Sequence, residues 1–192
     1  MFLAASEITE HIATGRVIIS PYQPDLVRGA SVILTLGNRF RKWKRDDKPI
    51  DIFSKGAADP FLEDPFEACE FVLCPGDFVL ASTAERVGLP HEIAGQLSAL
   101  SHVARFGLSV VSGACFVGPG FGSSAPTALT LELVNHNPSP LRLFAGLPIA
   151  HLRLSRISGD IGLAPPSIYN GQDPLIAPAF YEEWQTRVRS KP

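Results

Sequence analysis

The chain has 192 residues, enough for one domain with or without an added arm. Hydrophobic residues make up 45% of it, charged residues 19%, and the formal net charge is −2. A chain with this charge has no overall attraction to nucleic acid or to an anionic membrane, so an anionic ligand needs a local cluster of donors. The N-terminus lacks a signal-peptide pattern and no apolar run is long enough to span a membrane, which predicts a cytoplasmic protein.

Short elements separated by glycine and proline follow one another along the chain. The sequence predicts a helix capped by Ser6 and ended by Gly15, followed by a series of strands. A basic stretch, residues 39–48, alternates its charges with Phe40 and Trp43, which predicts a solvated strand end and loop rather than a nucleic-acid patch. The predicted strands cover residues 16–20, 30–36, 70–73, 78–83, 108–111, 128–134 and two segments within 141–153.

The remaining segments predict loops and short helices. Residues 53–68 read as a loop and residues 90–95 as a helical turn or bend. A short helix is expected to begin near Ser101, its capping residue, and to end before Gly107. The sum is a mainly β fold of the barrel or sandwich kind with a few short helices. We expect one β domain over residues 1–175, followed by a C-terminal arm or short helix over residues 176–192.

The cysteines and histidines do not form a metal-binding pattern. Cys69, Cys74 and Cys115 are too few and too scattered for a disulfide framework or a CxxC site, and they read as small apolar side chains. The five histidines have no ligand-like spacing, and the H-x-E and P-C-x-x-C signature of zinc deaminases is absent from the sequence. We therefore expect no metal held by protein ligands.

Two segments contain polar side chains that are candidates for catalysis. Ser101 and Arg105 are four residues apart, so on a helix they share one face. Glu132 interrupts an apolar strand and, by alternation, shares a face with Thr130 and Val134. A carboxylate in that position is either exposed to solvent or a candidate general base. Taken singly, Ser101 reads equally well as a helix cap and Arg105 as a surface ion-pair former.

The order of several motifs resembles the dCTP deaminase family of the trimeric dUTPase superfamily. The resemblance runs from about residue 3 to about residue 175, and its first motifs are GRVIISP at 15–21 and GASVILTLGNRF at 29–40. The later motifs, in chain order, are FVLCPGDF at 71–78, SHVARFGL at 101–108, PGF at 119–121, LELVN at 131–135 and YNGQ at 169–172. Each motif is weak alone, and it is their colinear order that is specific.

The resemblance implies a distorted β-barrel of the dUTPase-like (β-clip) type, assembled as a homotrimer with active sites between subunits. It also implies hydrolysis of the 4-amino group of dCTP without zinc, in some members with cleavage of the triphosphate to give dUMP. Magnesium would arrive with the nucleotide phosphates. By resemblance, Glu132 is the catalytic carboxylate, and Ser101 and Arg105 position the water. The substrate-binding positions that the resemblance implies are His102, Ala114, Tyr169 and Gln172.

The chain departs from the family pattern mainly where phosphates would be held. The positions that differ from the motif are Ile33, Leu100, His102, Phe116, Gly118 and Ile168. Three interpretations remain open: an active deaminase of dCTP or of a related nucleotide with fewer phosphates; a domain that binds a nucleotide or related ligand without turning it over; and a structural trimer without a small-molecule site. The presence of the Ser101, Arg105 and Glu132 set favours the first.

Overall fold

A computed structural model describes residues 1–162, 169 and 171–189, with side chains as far as residue 184. The fold is mainly β with short helices, as the sequence predicts. The three α-helices are α1 (Ala5–Ala13), α2 (Ser101–Arg105) and α3 (Phe180–Arg189). The strands are β1 (Ile18–Ser20), β2 (Val27–Arg28), β3 (Ser31–Lys42), β4 (Phe66–Glu67), β5 (Glu70–Leu73), β6 (Phe78–Gly88), β7 (Ile93–Ala99), β8 (Leu108–Ser109), β9 (Phe116–Val117), β10 (Thr127–Asn135), β11 (Leu141–Phe144) and β12 (Pro148–Arg156).

One curled sheet contains ten of these strands. Its hydrogen-bonded order is β8-β10-β6-β3-β12-β7-β9, with β1 added to β6 and with β2 and β4 added to β3. The other two strands, β5 and β11, pair as a separate antiparallel ribbon. The curl encloses two clusters of buried aliphatic and aromatic side chains, which supply the hydrophobic stabilisation of the fold. In this order β6 lies between β3 and β10, although the three strands are far apart in the sequence.

The structure corrects three local predictions. Strand β3 continues to Lys42, six residues past its predicted end, because Phe40 is buried in the core and holds the strand to the sheet. The expected helical turn at residues 90–95 gives way at Ile93 to β7, where a full antiparallel ladder with β12 outweighs local propensity. Helix α1 begins one residue before Ser6, and Ala4 occupies its N-cap position.

Strand β6 is irregular on both of its edges. Its register with β3 shifts between Leu36 and Phe40, and its register with β10 shifts between Ala128 and Thr130. A buried polar network supports these bulges. The Thr83 hydroxyl accepts a 2.9 Å hydrogen bond from the Leu129 N–H and donates to the Glu85 carbonyl at 2.7 Å. Bulges bend a strand and redirect its side chains, and they are common beside active sites.

The buried carboxylate of Glu85 completes this network. Its two oxygens accept hydrogen bonds from the backbone N–H of Thr35 at 2.9 Å and from the Thr35 hydroxyl at 2.8 Å. The residue is only 2% exposed, so an unpaired charge there would be costly. Glu85 thus ties β6 to β3 while Thr83 ties β6 to β10.

Helix α3 packs against the long loop that precedes β4. Phe53 makes edge-on contacts with Phe180 and Tyr181, at ring-centroid distances of 5.9 and 5.8 Å. This aromatic contact fixes the far end of the C-terminal segment on the barrel. Within the described part of the chain, no helix is both long and apolar enough to cross a membrane.

Candidate active site

Glu132 lies where the sequence pattern predicts it, on the outward face of β10. The opposite face of the strand, which includes Leu131 and Leu133, is buried, whereas Glu132 is half-buried. Its Oε2 accepts a 2.8 Å hydrogen bond from the backbone N–H of Gly113. This bond fixes one carboxylate oxygen and leaves the other available to a water or ligand.

The face that carries Glu132 borders a cavity of about 390 Å³. Three of the predicted substrate-binding residues line the same cavity, namely Ala114, Tyr169 and Gln172. The volume lies within the range of small-molecule sites, and the lining is largely apolar, as is usual for such sites. The other lining residues are Leu80, Leu97, Phe116, Val117, Gly118, Phe121, Thr127, Ala128, Leu129, Thr130, Asp173, Pro174, Ile176 and Pro178.

Helix α2 lies outside this cavity. Ser101, His102 and Arg105 are all exposed, and none of them lines the cavity that Glu132 borders. Ser101 is the first residue of the helix and not its cap; Leu100 occupies the N-cap position, where no side-chain bond is made. Within one chain, the water-positioning residues implied by the family resemblance are therefore not brought to the carboxylate.

The described lining of the cavity has no cationic side chain to bind a triphosphate. Phe116 and Gly118, two of the departures from the family pattern, both line it, and the Phe116 side chain is 68% exposed. Among the described lining residues the charged side chains are Glu132 and Asp173, and Lys, Arg and His are absent. Ile168, another departure, lies outside the described residues. The charge of Asp173 is balanced by its ion pair with Arg39, so a polyanion in this cavity would face the Glu132 carboxylate and would need cations from outside the described lining.

A second cavity, of about 600 Å³, adjoins the Glu132 cavity. It shares Thr127, Ala128, Gln172, Asp173 and Pro174 with the Glu132 cavity, so residues of β10 and of the C-terminal segment lie between the two spaces. Its charged lining residues are Arg39, Arg86 and Asp173. Among the described lining residues of the larger cavity the one carboxylate is Asp173, which is paired with Arg39, whereas Glu132 in the smaller cavity has no ion-pair partner among the described residues. The smaller cavity is therefore the better candidate for acid–base chemistry.

The contacts that hold the C-terminal segment were missed by sequence reasoning. Arg39 Nη2 and Asp173 Oδ2 form an ion pair at 2.7 Å, and the Thr130 hydroxyl donates a 2.6 Å hydrogen bond to the Pro174 carbonyl. The Tyr169 hydroxyl accepts a 2.9 Å hydrogen bond from the backbone N–H of Ala179. The alternation of Arg39 with Phe40 indicates an outward-facing arginine. It does not identify the partner of that arginine, Asp173, which is 134 residues away in the sequence.

Comparison with protein families matches residues 2–157 to the family described as dCTP deaminase-like. The chain belongs to the dCTP deaminase-like family. A relative from Thermobifida fusca, named "dCTP deaminase, dUMP-forming", is 36% identical over 159 residues, which cover 82% of this chain and 79% of that protein. A relative of the same name from Acidothermus cellulolyticus is 36% identical, and the alignment covers the whole of both chains.

The fold of this dCTP deaminase-like chain also matches a solved structure of its family. The crystal structure of 2′-deoxycytidine 5′-triphosphate deaminase from Agrobacterium tumefaciens superposes with a TM-score of 0.62 at 16% identity. The match covers 81% of this chain and 48% of the other, so the chain spans about half the length of that protein. This likeness confirms the predicted barrel type, and the family resemblance inferred from the motifs is confirmed as well.

Proposed function

We propose that the protein hydrolyses the 4-amino group of a cytosine deoxynucleotide, giving the uracil form and ammonia without zinc. The observation that carries the proposal is the placement of Glu132 beside a small-molecule cavity that Ala114, Tyr169 and Gln172 also line. The names of its relatives, dCTP deaminases that form dUMP, support the same substrate class.

The chemistry assigned to Glu132 is proton transfer. Its free oxygen takes a proton from water as the water oxygen bonds to C4 of the pyrimidine ring. The carboxylic acid then returns that proton to the 4-amino nitrogen and the C4–N bond breaks, so that ammonia leaves. The remaining proton of the C4 hydroxyl moves to ring nitrogen N3, and C4 keeps the oxygen as a carbonyl. The Gly113 N–H holds the other oxygen, so the carboxylate keeps its orientation through both transfers.

Ser101 and Arg105 would reach this site from a neighbouring copy of the chain. We propose a homotrimer in which α2 of one subunit covers the Glu132 cavity of the next. Two exposed aromatic side chains support the idea: Phe106 at the end of α2 is 65% exposed, and Phe116 at the cavity is 68% exposed. Contact between these two surfaces would bury both rings and bring the guanidinium near the carboxylate.

The substrate is expected to carry fewer phosphates than dCTP, because the described residues that line the cavity include no Lys, Arg or His. Each lost charge-assisted hydrogen bond costs roughly 1.5–3 kcal/mol of binding. The same observation favours a second candidate function, binding of a cytosine nucleotide without turnover. Magnesium, where a phosphorylated substrate requires it, would bind the phosphates.

A product assay separates these functions. Purified protein is incubated with magnesium and, separately, dCTP, dCMP, deoxycytidine and dUTP, and the products are resolved by chromatography. Deamination of dCMP or deoxycytidine in preference to dCTP is the expected result, with loss of activity in Glu132→Gln. Glu10→Gln, an exposed change on α1, is the matched control. Binding of a cytosine compound by calorimetry without product would support the silent domain instead.

A further inference from the structure

Two arginines of strand β3 face the C-terminal segment. Arg39 and Arg41 flank the buried Phe40, so both guanidiniums lie on the outer side of the strand. Arg39 Nη2 pairs with Asp173 Oδ2 at 2.7 Å, and Arg41 Nη1 donates a 2.9 Å hydrogen bond to the Leu175 carbonyl. The basic stretch that the sequence predicts as a solvated edge therefore has partners.

The segment they hold is fixed by further contacts. The Thr130 hydroxyl, on β10, donates to the Pro174 carbonyl at 2.6 Å, and the Leu175 side chain is 1% exposed. The Asp173 carboxylate also accepts the Leu175 N–H at 2.9 Å. The hydrogen bond from Arg39 is the main cause that lowers the pKa of Asp173, so the carboxylate stays charged at neutral pH. We call this set of contacts at residues 173–175 the clasp.

Two residues of the clasp, Asp173 and Pro174, themselves line the Glu132 cavity. Tyr169 and Gln172 precede the clasp, and Ile176 and Pro178 follow it, and all four line the cavity. The two arginines come from β3, which lies on the far side of β6 from β10. An isolated surface ion pair contributes little. Here, contacts from two strands converge on three consecutive residues with a buried leucine among them, which favours a fixed position for the whole segment.

We propose that Arg39 and Arg41 are positioning residues, which hold Tyr169 and Gln172 over the Glu132 cavity before any ligand arrives. The proposal rests on the proposed function for its kinetic consequence, although not for the clasp itself. A segment held by the protein's own ion pair does not depend on ligand phosphates to close it. The clasp thus holds the segment at a cavity whose described lining has no cation for a phosphate, and this arrangement suits a cytosine nucleoside or monophosphate.

The test combines a charge swap with two readouts. Arg39→Asp and Asp173→Arg are made singly and together. Amide hydrogen exchange of residues 171–178 is measured in the ligand-free protein, and KM and kcat are measured for whichever of dCTP, dCMP and deoxycytidine is turned over. Each single change should speed the exchange and raise KM about two- to fivefold, because the side chains at positions 39 and 173 then carry like charges and repel each other. The double change should recover at least half of both effects.

A matched control is available on the β5–β11 ribbon. Arg142 Nε pairs with Glu70 Oε1 at 3.3 Å, far along the chain from the segment, and Arg142→Gln should change neither readout. Fast exchange of residues 171–178 in the wild-type protein, or an unchanged KM in both single variants, would overturn the proposal. If none of the substrates is turned over, the proposed function fails, and the exchange measurement still decides whether the clasp exists.

Discussion

The backbone N–H of Gly113 donates a 2.8 Å hydrogen bond to Oε2 of Glu132, and this bond determines what the carboxylate can do. A glutamine at position 132 can accept the same bond through its amide oxygen, but it cannot take a proton. Gly113 itself leaves space, because a Cβ there would meet Glu132 Oε2 only at 4.0 Å. The bond therefore separates the structural role of the side chain from its chemical role.

Glu132→Gln should lower kcat at least about 100-fold and leave the affinity for the substrate within about threefold. The geometry of the site is kept, and only the base is removed. Single-turnover kinetics and calorimetry on the same preparation measure the two quantities. A parallel loss of affinity and stability would show instead that the charge of Glu132 holds the site together, which contradicts the role assigned here.

Mixing two inactive variants tests the shared site. In the proposed trimer, Glu132 and Arg105 of one active site belong to different subunits, so Glu132→Gln and Arg105→Ala complement each other. Equal amounts, unfolded and reassembled together, should give about a quarter of wild-type activity. A site is active only where the Arg105→Ala subunit supplies Glu132 and the Glu132→Gln subunit supplies Arg105, and random assembly produces that arrangement at about one site in four. Each variant reassembled alone is the control. No recovery in mixed trimers, or a monomer by light scattering, would contradict a site between subunits.

What the sequence predicts well are the strands whose burial repeats every second residue. In β10, Leu129, Leu131 and Leu133 alternate with the outward Glu132, and the predicted and observed strands differ by one residue at each end. The C-terminal part of β3 was missed because local signals, a run of charges, suggest a loop. Only the buried Phe40 and its partners on β6 hold the strand there.

The candidate site likewise has residues that local sequence patterns predict and contacts that they do not. The alternation of β10 and the order of the motifs predict the position of Glu132. In the structure, Ala114, Tyr169 and Gln172 line the same cavity as Glu132. The partnership of Arg39 with Asp173 spans 134 residues, and no local pattern encodes a contact of that separation. The place of α2 relative to Glu132 is a matter of assembly, on which a single chain's periodicity carries no information.

His151 makes the stability of the protein depend on pH. Burial lowers the pKa of His151, and the charge of Arg153 lowers it further, while Nδ1 lies 2.9 Å from the Ser31 hydroxyl. Its pKa in the folded state is thus below the ordinary value of 6.5, so the unfolded chain binds more protons. The stability that the neutral ring contributes is present above pH 6.5 and is lost as the pH falls through the folded-state pKa.

The free energy of unfolding should therefore fall more steeply from pH 7.5 to pH 5 in the wild type than in His151→Gln. Urea titrations at each pH measure it. Between pH 7.5 and 8.5 the ring is neutral in both states, so the two proteins should show equal slopes there, which serves as an internal control. Equal slopes in the acidic range as well would contradict the assigned direction of the pKa.

Thr83 tests the bulge that shapes β10. Thr83→Val keeps the shape of the side chain but leaves the buried Leu129 N–H without its 2.9 Å acceptor. We expect a loss of about 1–3 kcal/mol in the free energy of unfolding, the usual cost of an unsatisfied buried donor. Leu129 is three residues from Glu132, so kcat should fall as well if the strand relaxes. Thr14→Val, an exposed change at the end of α1, should stay within about 0.5 kcal/mol of the wild type. If Thr83→Val is as stable as that control, the hydroxyl does not support the bulge, and the curvature of β10 must come from the backbone alone.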